Sequence, residues 1–360
     1  MKLFMRGLFF LSLIMFICYR SNAQDSTGNP LSISAYGEFY HSYDFSKPMN
    51  GEKSNFIYNH KRHNEITSNL IYVKANYQKQ HYRANLGAMV GTYAEYNLAS
   101  EPTWAQFIYE ANAGMKLSKR HNLWFDIGIM PSHLGFESAV GGDCWTLTRS
   151  LLSEGSPYYE AGAKLSFTSK NEKLYASFLL LNGWQRIRKP TGISDIPSIG
   201  FQVQYKPKDR WLLNYGNFIG NAQPDSLNAI RHFHNFYLQY ESQKKWGLIL
   251  GFDLGMDKYN PTDYGLWYSP VAILRYKWTP KWTTAVRLEY YFDKHGIIFP
   301  TSTLNGFQTF GASLNQDFQI NSSIKLRLEY KYLQSKDAIF SNQNEANHSI
   351  TSACIFTFQK

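Results

Sequence analysis

A few groupings of side chains in this sequence could do chemistry, and most of them contain histidine. The run 60–63 (HKRH) could ligate a metal or bind anionic lipopolysaccharide, although a solvated loop also explains it. His232 and His234 could act as bases on lipid, and Glu289 with Asp293 could form a carboxylate pair. An interfacial position for the histidines and charge balance with arginines for the carboxylates are the simpler interpretations.

Motifs that would indicate an enzyme are absent from the sequence. It contains no phosphate-binding loop, no G-x-S-x-G elbow and no H-E-x-x-H. Cys144 and Cys354 have neither a C-x-x-C partner nor a histidine at metal spacing, and we expect both to be free thiols. We therefore expect no enzyme activity, no metal and no cofactor. Charges spread through alternating segments also argue against nucleic-acid binding.

The start of the chain predicts export. Lys2 and Arg6 precede a short apolar run at 7–18, and a small-x-small cleavage site ends at Ala23. This arrangement is typical of a secretory signal peptide, because the apolar run is too short to span a membrane. We predict a cleaved signal peptide at 1–23 and one domain at 24–360.

The remaining sequence alternates apolar and polar side chains with a period of two. In the segment 325–332 (KLRLEYKY), Leu and Tyr occupy one face while Lys, Arg and Glu occupy the other. The pattern predicts sixteen strands near 32–45, 64–79, 82–95, 106–118, 122–131, 157–169, 173–186, 196–206, 210–220, 229–242, 246–257, 265–279, 281–293, 306–321, 324–334 and 346–359.

Short and long connections alternate between these segments, and this order indicates the fold. It predicts an all-β, transmembrane, antiparallel up-and-down β-barrel with short periplasmic turns and long outer loops. An even strand number then places both termini in the periplasm. Aromatic residues beside the short turns, including Trp211, Trp246, Trp278 and Trp282, predict an aromatic girdle at one membrane interface. A soluble sandwich or solenoid would show the same alternation, but its strands are usually shorter.

A barrel of this size leaves a water-filled lumen, so its inward charges matter. The alternation assigns eleven basic and eleven acidic residues to the lumen, which predicts weak charge selectivity. The alternative is that these charges pair across strands and keep the lumen hydrated without selecting solutes. The principal lumen-lining candidates are Glu110, Lys116, Arg275, Lys277, Arg287, Glu289, Lys325, Arg327, Glu329 and Lys331.

The third long connection, at about 132–156, is too apolar for a freely solvated loop, since it contains four leucines, a phenylalanine and a tryptophan. One hypothesis is that it packs inside the barrel as a constriction, with Glu137, Asp143 and Arg149 near the narrowest point. The alternative is that it folds over the mouth or against a neighbouring subunit.

Five blocks of the sequence resemble the outer-membrane β-barrel porin family known as porin-2, or OmpL-like. They are 58–65 (YNHKRHNE), 128–138 (GIMPSHLGFES), 143–150 (DCWTLTRS), 181–186 (LNGWQR) and 305–311 (NGFQTFG). The resemblance implies a solute channel in the outer membrane of a Gram-negative bacterium and carries over no functional residues. Gln359 and Lys360 depart from a typical barrel because they follow the last aromatic, Phe358.

The function expected from these patterns is a porin for passive diffusion of small hydrophilic solutes. The alternative is a structural or adhesive barrel that binds partners through its long loops. Expected partners are the solutes, outer-membrane lipid and lipopolysaccharide, and the barrel-assembly machinery, with a homo-oligomer left open.

Overall fold

The computed structural model describes residues 29–192, 196–222 and 229–359. The predicted signal peptide at 1–23 lies outside the described residues. Sixteen antiparallel strands form one closed barrel in which each strand pairs with its neighbours in sequence and β1 pairs with β16. The strands are β1 (Leu31–Asp44), β2 (Ile66–Gln78), β3 (Tyr82–Val90), β4 (Ile108–Lys116), β5 (Asn122–Pro131), β6 (Tyr159–Thr168), β7 (Leu174–Leu181), β8 (Ser198–Tyr205), β9 (Trp211–Gly220), β10 (Arg231–Glu241), β11 (Trp246–Lys258), β12 (Tyr264–Lys277), β13 (Trp282–Asp293), β14 (Phe307–Asn321), β15 (Ile324–Ser335) and β16 (Ala346–Gln359).

The two faces of each strand have different surroundings, as the alternation predicts. On β15, Leu326 and Leu328 are 41% and 50% exposed, whereas Arg327 and Glu329 between them are 2% and 1% exposed. The exposed apolar row is the outward face, and the buried charged row is the inward face. The predicted closed all-β barrel of sixteen strands is therefore confirmed, and Cys144 and Cys354 are both free.

Two strands end earlier than the sequence predicts. β3 stops at Val90 instead of residue 95, because Gly91 adopts φ 122° and helix α1 (Thr92–Asn97) follows it. β7 stops at Leu181 instead of residue 186, where Gly183 adopts φ 146°. Glycine reaches these positive φ values without the steric penalty that other residues incur, so it ends the strand in both places.

One inferred side-chain orientation is wrong. The alternation puts Tyr109 of β4 on the outward face, but its ring stacks on inward-facing Tyr72 with centroids 4.6 Å apart. The register of β3 and β4 shifts between Gly87 and Ala88, and this bulge gives β4 one extra residue. Gly87 leaves room for the ring, since a Cβ there would lie 3.2 Å from Tyr109 Cδ1.

Four of the long connections pack against the inward face. One apolar cluster joins Phe56, Leu134, Phe299 and Phe340, which come from four different connections, to inward-facing strand residues such as Trp267. The connection at 132–158 also contains helix α2 (Leu151–Glu154), whose Leu151 and Leu152 are fully buried. Among the described residues, no helix is long and apolar enough to cross a membrane.

Candidate functional site

Residues 132–158, called the inner loop below, contact inward-facing side chains on most of the barrel. His133 fixes the start of the loop, with Nδ1 2.9 Å from Glu160 Oε2 on β6 and Nε2 2.7 Å from the Asn217 carbonyl on β9. Burial alone would lower the pKa of His133, but the Glu160 carboxylate outweighs it, so the pKa lies above its ordinary value. An imidazolium donates both of its N–H groups here, one to each strand.

Two aromatic side chains of the inner loop lie over glycines of β11. A Cβ on Gly247 would stand 2.6 Å from Trp145, and one on Gly251 would stand 2.6 Å from Phe136. The guanidinium of Arg275 lies 3.9 Å from the centre of the Trp145 ring. The loop therefore approaches the β11 backbone closely, and any larger residue at either glycine would displace it.

Two of the three predicted constriction residues hold the shape of the inner loop. Arg149 is 1% exposed and donates hydrogen bonds to the carbonyl oxygens of Ser138, Ala139 and Leu147. Glu137 is 7% exposed and accepts a hydrogen bond of 2.9 Å from the Ser150 amide. Both side chains therefore form hydrogen bonds with backbone groups of the loop itself.

Asp143 has a different environment. It ends the short 3₁₀ turn Gly141–Asp143 and is exposed. The neighbouring Gly142 amide donates a hydrogen bond of 2.9 Å to the Tyr36 hydroxyl on β1. Of the three predicted residues, Asp143 is therefore the one whose carboxylate faces water.

The inward charges of β13 and β15 bind the backbone of the inner loop. Arg287 donates from Nη1 to the Thr148 carbonyl at 2.6 Å, and Glu329 accepts from the Thr148 amide at 2.7 Å. Glu289 accepts from the Leu151 amide at 2.5 Å, and Lys331 donates to the Arg149 carbonyl at 3.0 Å. The side-chain amide of Asn315 on β14 adds a bond from the Leu147 amide at 3.1 Å.

The turn of the inner loop is held by two further cations of β15. Arg327 donates from Nη1 to the Gly141 carbonyl at 2.6 Å, and Lys325 donates to the Gly142 carbonyl at 3.0 Å. Arg327 also forms an ion pair with Asp317 at 2.7 Å. Six of the ten predicted lumen-lining residues thus form hydrogen bonds with the backbone of the inner loop.

The other four predicted lumen residues do not bind the loop backbone, although Arg275 lies against the Trp145 ring. Glu110 pairs with Lys74 at 2.5 Å, and Arg275 pairs with Glu241 at 2.8 Å. Lys277 is 48% exposed and lies 3.8 Å from Glu241. Lys116 is half-buried and takes part in none of the ion pairs that join described residues. Most inward charges therefore pair across strands.

Sequence reasoning missed an aromatic stack on the inward wall. Tyr36 and Tyr72 stack with centroids 5.5 Å apart, and Tyr72 stacks in turn on Tyr109. The strand alternation could have identified Tyr72, which lies between the outward Ile71 and Val73. It could not have identified Tyr109, because the bulge in β4 is not visible in the pattern.

The run 60–63 is more buried than a solvated loop. His60 is fully buried with Nε2 2.7 Å from Glu38 Oε1, and Lys61 is 4% exposed. Burial lowers the pKa of His60. Within the described ranges, no group of three or more His, Cys, Asp or Glu side chains could hold a metal ion. The interpretation of 60–63 as a solvated loop is wrong for these two residues.

The four predicted girdle tryptophans lie at one end of the outward face. Trp211, Trp246, Trp278 and Trp282 are 37–57% exposed. Trp278 donates from Nε1 to Thr284 at 2.8 Å, and Trp282 donates to Gln316 at 2.7 Å. Amphipathic rings with satisfied N–H groups suit the boundary between lipid and water.

Comparison with known proteins decides the family. The sequence model of the family described as putative β-barrel porin-2, OmpL-like, matches residues 30–358. The chain belongs to this family. This porin-2 protein is accordingly an outer-membrane porin of a Gram-negative bacterium. No curated protein matches its sequence.

Solved structures share the barrel of this porin-2 protein at low sequence identity. The outer-membrane channel DcaP of Acinetobacter baumannii is 9% identical, with a TM-score of 0.61 over 94% of this chain and 100% of that one. OmpF of Salmonella typhi in complex with daunomycin has 9% identity and a TM-score of 0.61 over 92% and 98%. The anion-selective porin from Comamonas acidovorans has 9% identity and a TM-score of 0.57 over 91% and 99%. At such identities the likeness concerns the fold.

Proposed function

We propose that this porin admits small hydrophilic solutes by passive diffusion, with weak charge selectivity and with the inner loop as its constriction. The observation that carries the proposal is the attachment of the inner loop to the inward face of β13–β15. Arg287, Glu289 and Glu329 bind its backbone at 2.5–2.7 Å. A loop held at so many points stays inside the barrel and narrows the lumen, and it does not fold over the mouth.

The proposed water path follows the opposite wall, formed by β2–β6. Lys74 and Arg83 have side chains 22% and 27% exposed, whereas the side chains of Arg287 and Glu329 are fully buried. Water therefore reaches the inward face of β2 and β3 more readily than that of β13 and β15. Solutes would pass between this wall and the exposed Asp143 at the tip of the inner loop.

Weak selectivity follows from charge pairing. Lys74 pairs with Glu110 and Arg83 pairs with Asp126, so the accessible wall presents ion pairs instead of a ring of one sign. A ring of like charges is what gives strong ionic selection. The same pairing fits a non-enzymatic channel, since each of these groups is already engaged with a counter-charge.

The remaining features of the proposal concern the surroundings of the barrel. The short turns and both termini lie at the periplasmic end of the barrel, and the long connections lie at its outer end. Outer-membrane lipid, lipopolysaccharide and the barrel-assembly machinery are its partners, and a homo-oligomer is compatible with the fold. An OmpT trimer of Vibrio cholerae, with 9% identity and a TM-score of 0.56, supports that last point by analogy of fold.

Planar-bilayer recording and liposome swelling test the function. The refolded protein should give discrete conductance steps, and vesicles containing it should swell in small sugars and amino acids. Deletion of 136–148 should raise the conductance, provided that the variant still runs as a compact unheated band on a gel. An unchanged conductance in a folded deletion variant would contradict the proposal that the inner loop is a constriction. A folded wild-type barrel without conductance would favour the structural or adhesive alternative.

A further inference from the structure

The charges at the two ends of the barrel are strongly asymmetric. The seven short turns, at 79–81, 117–121, 169–173, 206–210, 242–245, 278–281 and 322–323, contain eleven Lys and Arg residues and two acidic residues. The long connections contain ten basic and twelve acidic residues. The eleven cations, called the basic rim below, are Lys79, Lys119, Arg120, Lys170, Lys173, Lys206, Lys208, Arg210, Lys244, Lys245 and Lys281.

The cations of the basic rim form no ion pair with any of the residues that the structure describes. All eleven side chains are exposed. None of the ion pairs that join described residues includes any of them. The inward arginines behave in the opposite way, since Arg83, Arg287 and Arg327 all pair with carboxylates. Like charges concentrated at one edge repel one another, so an anion from outside the chain would stabilise them.

The rim lies at the level of the aromatic girdle. Lys79 Nζ stands 5.9 Å from the centre of the Tyr77 ring, and Lys245 Nζ stands 5.5 Å from that of Tyr276. Girdle aromatics occupy the headgroup region of a bilayer. The ammonium groups beside them are therefore held where lipid phosphates lie.

One turn of the rim also has an apolar recess. Trp278, Pro280, Trp282 and Phe318 line a notch of about 700 Å³ on the outward face, and Lys281 stands at its edge. An apolar recess beside an ammonium group matches a lipid, whose acyl chain and phosphate require these two surroundings together. A soluble anion would gain nothing from the recess.

We propose that the basic rim is a binding surface for anionic phospholipid headgroups in the leaflet at the short-turn end of the barrel. Lysine ammonium and arginine guanidinium groups donate to the phosphate oxygens, and the notch at Lys281 accommodates an acyl chain. Each basic residue near an anionic leaflet raises the affinity of the protein surface for that leaflet roughly fivefold, and salt weakens this attraction.

The native tryptophans allow a direct test. Four of the exposed tryptophans, Trp211, Trp246, Trp278 and Trp282, lie beside the rim. Bromine on an acyl chain quenches a tryptophan that it touches. In vesicles at low salt, dibrominated phosphatidylglycerol should therefore quench the fluorescence several-fold more effectively than dibrominated phosphatidylcholine, and high salt should reduce the ratio toward one.

Two matched variants assign the effect to the rim. The rim variant combines Lys208→Gln, Arg210→Gln, Lys245→Gln and Lys281→Gln, and it should bring the ratio to about one. The control variant removes four exposed cations of the long connections by Lys47→Gln, Arg188→Gln, Lys294→Gln and Lys336→Gln, and it should keep the wild-type ratio.

Three results would overturn the proposal. One is a wild-type barrel that shows no preference for phosphatidylglycerol. Another is a control variant that loses the preference as fully as the rim variant does. The third is a folded rim variant that keeps the wild-type preference, which would show that the preference does not depend on these cations. Circular dichroism of each variant establishes that the barrel has formed.

Discussion

Arg287 on β13 donates two hydrogen bonds to Thr148 of the inner loop, 139 residues earlier in the chain. Its Nη1 lies 2.6 Å from the Thr148 carbonyl and its Nη2 lies 3.0 Å from the Thr148 hydroxyl. The same guanidinium is 3.1 Å from Glu329, and all three side chains are buried. One cation thus joins the barrel wall to the segment proposed to narrow the lumen.

Arg287→Met should release the inner loop from the wall. The substitution leaves Glu289 and Glu329 buried without their shared cation, and losing one partner of a buried pair costs about 3–5 kcal/mol. We expect a corresponding fall in the free energy of unfolding in urea and a larger, noisier single-channel conductance. Lys277→Met serves as the control, because the Lys277 ammonium lies 3.8 Å from the Glu241 carboxylate in an exposed ion pair. It should change the stability and the conductance little. Wild-type conductance and stability in Arg287→Met would show that the loop does not depend on this contact.

Gly247→Val should displace Trp145. Because a Cβ at residue 247 would stand 2.6 Å from the Trp145 ring, the larger side chain overpacks the contact and destabilises the protein by about 1–3 kcal/mol. Ala113→Val on the outward face adds a similar volume where nothing opposes it and should be nearly neutral. Urea unfolding compares the two. Equal stability of the two variants would argue against a close approach between the inner loop and β11.

His133 predicts a pH dependence of stability. Its pKa lies above the ordinary value of 6.5, since the attraction of Glu160 exceeds the cost of burial. The stabilisation is therefore complete below about pH 6.5 and is lost as the pH rises through the raised pKa. We expect the free energy of unfolding in urea to fall between pH 5.5 and 8 in the wild type. The fall should be smaller in His133→Gln, which lacks the titrating imidazole, and unchanged in His121→Gln, whose histidine lies in an exposed turn. Identical slopes for the wild type and His133→Gln would contradict the assignment.

Lys53 predicts the opposite dependence. It is 3% exposed, and burial lowers its pKa to about 8 from the ordinary 10.5. The folded protein then binds fewer protons than the unfolded chain between pH 8 and 10.5, so stability rises with pH in that window. At pH 7, Lys53→Met should stabilise the protein by about 3 kcal/mol, because it removes a buried ammonium group. Lys47→Met, exposed in the same connection, is the control and should have no effect. A less stable Lys53→Met at pH 7 would show that the ammonium is well compensated.

Asp143→Lys should shift ion selectivity. The exposed carboxylate at the tip of the inner loop becomes a cation, so the reversal potential in a salt gradient should move toward anion preference. Glu345→Lys makes the same charge change at an exposed position of the last long connection and should move it much less. Equal shifts of the reversal potential in the two variants would mean that it depends on the overall charge of the protein and not on the charge at the constriction.

The strands could be predicted from the sequence because their two faces meet different media. The residues of β15 alternate between lipid-facing leucines and buried charges, and a period of two records this directly. Prediction failed where the backbone departs from that period. The bulge in β4 turned Tyr109 inward, and Gly91 ended β3 before the predicted boundary.

The site was less predictable than the barrel. The apolar residues of 132–156 indicated that this loop would not be freely solvated. The partners of Glu137 and Arg149 are a backbone amide and backbone carbonyls of the loop itself, and these groups come together only once the loop has folded. No spacing in the sequence encodes such contacts, and the attachment of Thr148 to Arg287 likewise arises from tertiary structure.

The most direct test of a lumen narrowed by the inner loop is single-channel conductance with polyethylene glycols of graded size on both sides of the bilayer. The wild-type protein should give discrete steps with a low size cut-off for entry of the polymer, and Arg287→Met should admit larger polymers. The absence of conductance steps from a folded wild-type barrel, or the same cut-off in both proteins, would contradict the account.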